Sequence, residues 1–174
     1  MRNGQRKCCK EEFSVSEYLT DDFNIADVIT EELIDLELQA ENKEEAILEL
    51  TNILYKKGLV SNVKDFYEDV FLREKEGVTG LGQGIAIPHG KSDSVIKTSL
   101  VVGKMTQPIE WESLDEQPVD IIILFAVRNI EANTLHIKLL QKVAVLLADD
   151  AFIYALHHVE TKKELLQLLS REPD

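Results

Sequence analysis

Val119-Asp120-Ile121-Ile122-Ile123-Leu124-Phe125-Ala126-Val127 carries a single charge and is dominated by β-branched and aliphatic side chains. A half-exposed strand would alternate polar and apolar positions. This one is apolar at both phases after Asp120, so it predicts a strand in the middle of a sheet covered on both faces. Ile121 to Val127 is also the longest uncharged apolar run in the chain, far short of the ~20 residues a membrane-spanning helix needs.

Working outward, the Leu114 to Pro118 stretch supplies a turn, and strand-like runs precede it at Ser99 to Met105 and Ile109 to Trp111. Gly80, Gly82 and Gly84 predict a loop, entering a short buried strand at Ile85 to Ile87 that Pro88 stops just before His89. Farther upstream, Ile34, Leu36 and Leu38 alternate with polar residues as a one-face strand does, after a short turn capped by Asn24 and running through Val28.

Helices are marked by their ends as much as by their stripes. Asn42, with Glu45 three residues on, precedes Ala46, Ile47, Leu50, Ile53 and Leu54, and Gly58 closes the segment. Asn62 starts a second helix with Val63, Phe66, Tyr67, Val70 and Phe71 on one face and with Arg73 and Lys75 in its last turn, ahead of Gly77. Three more helices end the chain: one with Leu135, Leu139, Leu140, Val143, Leu146 and Leu147, one from about Asp150 to His158, and one begun by the Thr161 to Glu164 capping box. Close-spaced strands in the middle and helices at the end fit an α+β fold, with a helix layer on each face of the sheet.

The chain has 174 residues, enough for one well-buried domain. Residues 1–23 lack sustained periodicity and are read as an extension outside a domain at 24–174. Cys8 and Cys9 are adjacent, close no useful loop and are expected to be reduced, incidental thiols. Met1 to Lys10 is basic without a following apolar core, so no secretory signal is expected and the expected location is cytoplasmic. A net charge of −13 repels nucleic-acid phosphates, which argues against direct DNA or RNA binding and favours brief encounters with a basic protein partner.

Four histidines are present. His89 follows the buried strand in Gly84-Ile85-Ala86-Ile87-Pro88-His89-Gly90, where a side chain is held rigidly yet reaches solvent, and Gly90 offers an anionic group a close approach. His136 falls in the first turn of an apolar helix, whose positive end favours a neutral ring able to donate one hydrogen bond to an anion. Arg73 offers a planar fork of donors and Thr79 a hydroxyl, both suited to phosphate. The same residues also admit a histidine in a tight turn, a boundary histidine beside Leu139 and Leu140, an arginine placed for the helix dipole and a threonine of turn material; nothing local chooses. His157 and His158 read as surface residues near a helix end. The glycines match no nucleotide-binding loop, no four-ligand metal set is spaced for binding, and neither a nucleophile elbow nor a carboxylate pair points to a hydrolase.

Arg73-Glu74-Lys75, Thr79-Gly80-Leu81-Gly82 and Gly84-Ile85-Ala86-Ile87-Pro88-His89-Gly90-Lys91, with His136-Ile137-Lys138-Leu139-Leu140-Gln141-Lys142-Val143-Ala144 and the Trp111 to Val119 turn, resemble one known family. It is that of the enzyme IIA domains of the bacterial phosphoenolpyruvate-dependent sugar phosphotransferase system, of fructose and mannitol type, from about Asn24 to the C-terminus. The resemblance implies a three-layer α/β/α sandwich around a small mixed β-sheet. It implies that His89 is phosphorylated by the histidine phosphocarrier protein and delivers the group to a cysteine of enzyme IIB, that His136 and Arg73 stabilise the phosphoryl group, and that Thr79 lines the pocket. No cofactor, nucleotide or metal is required, and a membrane enters only through a permease partner. The expected function is a sugar-specific phosphocarrier; the alternative is a regulatory protein of the nitrogen-type branch, whose phosphorylation state controls binding to other proteins.

Overall fold

In the computed structural model, which describes residues 24–171, the apolar run becomes the sheet's pivot. The elements in chain order are β1 (Ile34–Leu38), α1 (Lys43–Lys56), α2 (Val63–Glu74), β2 (Gly80–Gly82), β3 (Ile85–Ala86), β4 (His89–Ser92), β5 (Ser99–Ile109), β6 (Val119–Arg128), α3 (Leu135–Leu146), α4 (Asp150–His158) and α5 (Lys162–Leu169). The proposed extension at 1–23, with Cys8 and Cys9, lies outside the described residues. Strand order is β1-β5-β6-β3-β2, with β4 also paired to β6. The sheet is mixed: β6 runs antiparallel to β5 and parallel to β3 and β4. Every residue from Val119 to Val127 except Asp120 is buried, as a strand with layers on both sides requires.

The capping residues act as read. The side chains of Asn42, Asn62 and Thr161 accept from the backbone N–H three residues on, starting α1, α2 and α5, and Asn24 forms a capping box with Asp27 around a short 3-10 turn.

Neighbouring residues on a strand face opposite ways, and this assigns the layers. On β5, a Cβ placed on Gly103 would come within 3.0 Å of Leu50 of α1. Lys104, next in sequence, instead donates to the carbonyls of His157 and Val159 at the end of α4, at 2.7 and 3.2 Å. Thus α1 and α4 lie on opposite faces of the sheet, in an α/β/α sandwich.

Three local expectations need correction. Pro88 interrupts the strand before His89, as read, but the chain does not leave the sheet there. The registers Ile85↔Ile121 and His89↔Phe125 keep the same offset against β6, so β3 and β4 are one strand broken at Ile87-Pro88. Proline has no N–H to give, but its carbonyl still accepts from Phe125 N at 3.0 Å, and the ladder resumes. His89 therefore sits on a strand and not in a loop. Second, Gly80–Gly82 pairs as a short strand with β3, and the reversal is made by Gln83 and Gly84 at φ 54° and 78°. Third, Ile109 belongs to β5, which continues past a register shift between Lys104 and Ile109, and Trp111 lies beyond the strand's end. Pro108 falls inside that shift, where a residue without an N–H is tolerated.

Candidate functional site

The strand alternation that sorts the helices also aims His89. A Cβ on Gly90 would lie 2.8 Å from Val70 Cγ2 and 3.0 Å from Phe66 Cε2, so α2 rests directly against the strand at this glycine. Gly90 is buried and serves the helix–strand approach, not access for an anion as the sequence suggested. His89 faces the other way, toward α3, where the centroids of the His89 and His136 rings lie 5.3 Å apart. Phe125 closes on the His89 ring edge-on at 6.4 Å.

Because α2 touches the strand at Gly90, its C-terminal turn overhangs His89. From there Arg73 Nε–H donates to His89 Nε2 at 2.9 Å. An N–H donor at Nε2 requires that nitrogen to be bare, so the ring's proton resides on Nδ1, which donates to the Ile87 carbonyl at 3.2 Å. Burial pushes the His89 pKa below its ordinary value; the Ile87 carbonyl opposes this, and the nearby cations Arg73 and Lys91 add to it. The resting His89 is a neutral ring with its Nε2 lone pair presented to a guanidinium.

His136 is buried, at 4% exposure, and its Nε2 has no hydrogen-bond partner among the described residues. The ring also bonds to the Ala132 backbone, which by elimination engages Nδ1. Its pKa is lowered to about 4, first by burial and then by His89 and Lys91. The neutral ring expected from the sequence is thus present, with desolvation as the main cause. Its proton, however, is spent on Ala132, so Nε2 can donate to an anion only after taking up a second proton.

Thr79 is buried but stands one step back. Its carbonyl accepts from Ile87 N at 3.0 Å, tying it to the segment that carries His89. Its hydroxyl accepts from Trp111 Nε1 at 3.1 Å and keeps its own proton to give. Trp111 is a contributor that the residue-by-residue reading missed; its partner is distant in sequence, and the only signal was a lone tryptophan between two glutamates at the end of a strand-like run.

His157, read as a surface residue, is half-buried and links two elements. Its Nε2 meets the Gln83 carbonyl at 2.8 Å and its Nδ1 meets Asp120 Oδ2 at 3.4 Å. Two acceptors on one ring favour the imidazolium, and the Asp120 contact leads in raising its pKa. Among the described residues, no cluster of His, Cys, Asp or Glu could hold a metal ion, and no helix is long and apolar enough to cross a membrane.

Residues 27–172 match the family described as "Phosphoenolpyruvate-dependent sugar phosphotransferase system, EIIA 2". Over 129 residues the chain is 38% identical to the 2-O-alpha-mannosyl-D-glycerate-specific EIIABC component of Escherichia coli (strain K12), covering 74% of this chain and 20% of that protein. The chain thus spans about a fifth of that relative's length. The crystal structure of the nitrogen regulatory protein IIA-Ntr of Neisseria meningitidis superposes with a TM-score of 0.77 at 28% identity, covering 83% of this chain and 98% of that one. The solved complex of Escherichia coli enzyme IIA mannitol with phosphorylated enzyme IIB mannitol gives a TM-score of 0.69 at 30% identity, covering 81% and 96%.

Proposed function

Because the chain belongs to the EIIA 2 family of the phosphoenolpyruvate-dependent sugar phosphotransferase system, we propose that it is a cytoplasmic phosphocarrier whose His89 Nε2 receives and passes on a phosphoryl group. The observation that carries this reading is the 2.9 Å bond from Arg73 Nε–H to that nitrogen. It is consistent with an unprotonated Nε2, which a nucleophile needs, and puts a cation beside it to offset incoming negative charge.

In the first transfer, the N–P bond of the phosphorylated histidine phosphocarrier protein breaks as the lone pair of His89 Nε2 forms a new one. No proton need leave the nucleophile, since the ring proton is already on Nδ1. Phosphoryl transfer passes through a loose, charge-spread state, so positioning and charge compensation contribute more than a base. Arg73 turns its donors from Nε2 to the phosphoryl oxygens. The arriving negative charge raises the proton affinity of His136, whose Nε2 then takes a proton and donates to the same oxygens. Thr79 shapes the pocket wall through Ile87. In the second transfer the N–P bond breaks as a cysteine thiolate of enzyme IIB forms an S–P bond, and His89 regains its bare nitrogen. The relative solved with phosphorylated enzyme IIB mannitol supports that partner.

A second reading, regulation by the phosphorylation state, is favoured by the likeness to the Neisseria nitrogen regulatory protein. Both readings share the chemistry at His89 and differ in what receives the signal or the group.

Incubation with phosphoenolpyruvate, enzyme I and the histidine phosphocarrier protein should place an acid-labile phosphate on this chain, absent from His89→Ala. Discharge of that label onto an enzyme IIB cysteine supports the carrier reading, and a stable label that alters capture of a regulatory protein supports the second. Undiminished labelling of His89→Ala defeats both.

A further inference from the structure

Behind the site, one ammonium joins three elements. Lys43, the first residue of α1, forms an ion pair with Glu112 in the β5–β6 connection and another with Glu74 Oε2 of α2 at 3.4 Å, and it sits 5.5 Å from the Trp111 ring centroid. The Glu74 side chain is only 5% exposed, and its Oε1 has no hydrogen-bond partner among the described residues. A carboxylate buried so deeply is costly to leave without its charge partner.

Two paths lead from this ammonium to the two nitrogens of His89. One runs through Glu74 to the adjacent Arg73, which donates to Nε2. The other passes through Trp111, whose Nε1–H donates to Thr79 Oγ1 at 3.1 Å, and through the Thr79 carbonyl, which accepts from Ile87 N at 3.0 Å, to the Ile87 carbonyl that receives the Nδ1 proton. The backbone reinforces the second path, because Gly80 N, next to Thr79, donates to the Glu112 carbonyl at 3.2 Å.

We propose that Lys43 is a positioning residue for phosphoryl transfer, bracing Trp111 and the end of α2 so that Thr79, Ile87 and Arg73 hold the His89 ring in its Nε2-nucleophile tautomer and orientation. This rests on the phosphocarrier reading above. Lys43 touches neither the ring nor the phosphoryl group. It acts by fixing the partners that do, and a small misplacement of a reacting group is enough to slow a transfer.

Removing the lysine alone strands a buried carboxylate, so the test uses Lys43→Met combined with Glu74→Gln, which removes both charges of the pair. The double variant should unfold cooperatively, like the parent, yet accept phosphate from the phosphorylated histidine phosphocarrier on the order of tenfold more slowly in a single turnover. The ¹⁵N resonances of its His89 ring should move away from the Nδ1–H tautomer toward a mixture. Lys43→Arg should restore the rate, and Trp111→Phe, which keeps a ring but loses the N–H, should reproduce the loss. A double variant with the parental rate and unchanged His89 ¹⁵N shifts overturns the proposal. If the parent itself takes no label on His89, the phosphocarrier reading fails instead, and the His89 shifts of the double variant still decide whether Lys43 braces the ring.

Discussion

His136 and His157 are both withdrawn from water by the same fold, yet they are driven in opposite directions. His136 is desolvated by burial and lies beside another imidazole and near Lys91 and Arg73, its Nε2 has no partner among the described residues, and its pKa falls to about 4. His157 lies between a carboxylate and a carbonyl, both of its nitrogens are engaged, and its pKa rises. Burial favours the neutral ring at both sites; it prevails at His136, where the neighbouring groups add to it, and is outweighed at His157 by a carboxylate. At His157 the fold completes the ring's bonding, as a structural contact needs. Around His89 it leaves a lone pair and an orphan nitrogen next to cations, an arrangement suited to an incoming anion.

If that contrast is functional, the largest effect belongs to the site itself. His89→Gln should abolish phosphoryl acceptance, whereas His157→Gln should leave the rate within about twofold, because the His157 ring bonds to Gln83 and Asp120 and not to the groups around His89; its cost falls on stability, at about 1 kcal/mol or less for a partly exposed ion pair. Quench-flow with the phosphorylated histidine phosphocarrier protein measures both. Arg73→Met, which removes the charge facing Nε2, should slow transfer by about 10²–10³-fold, the size seen when one donor to a charged transition state is deleted. His136→Leu should cost less, about 10–100-fold, corresponding to one charge-assisted hydrogen bond. It should also remove proton uptake on phosphorylation, which titration in weakly buffered solution would detect.

Stability sharpens the contrast on a smaller scale. Gly90→Ala pushes a methyl into Val70 and Phe66 and should cost about 1–3 kcal/mol in urea unfolding, with α2 and Arg73 displaced as a consequence. The two histidines should then tilt the pH profile in opposite senses. Between pH ~6.5 and about 4, the unfolded chain binds a proton at His136 that the folded chain refuses, so stability there is lost as pH falls. His157, raised when folded, contributes stability that is complete below pH ~6.5 and is lost as pH rises through its folded pKa. Urea titrations of His136→Leu and His157→Gln across pH 4.5–8.5, on the order of the range that brackets a histidine, should flatten the acid limb in the first and the basic limb in the second.

The parts of the molecule legible in the sequence are those that local physics specifies. β6 was readable because an uninterrupted apolar run has few other homes, and α1, α2 and α5 because Asn42, Asn62 and Thr161 satisfy their own helix starts. The motif block around His89 and the one around His136 carried the family. What was not legible depends on contacts between distant residues. Proline is a local stop sign, so β3 and β4 read as a strand and a loop; only the constant register against β6 shows them to be one strand. Gly90 read as room for a ligand, because Phe66 and Val70 come from another element. The Trp111–Thr79 bond and the His157–Asp120 pair likewise join elements that no periodicity connects, and the second turned a supposed surface histidine into a link between α4 and the sheet.

On the proposed chemistry one specific nitrogen, Nε2 of His89, carries the phosphoryl group. The direct test is to phosphorylate uniformly ¹⁵N-labelled protein from phosphoenolpyruvate through enzyme I and the phosphocarrier, and to record ³¹P–¹⁵N coupling in the histidine side chains. The expected result is a single phosphoramidate on His89 Nε2, with Nδ1 still bearing its proton. A phosphoryl group on His89 Nδ1, on His136 or on no histidine would contradict it.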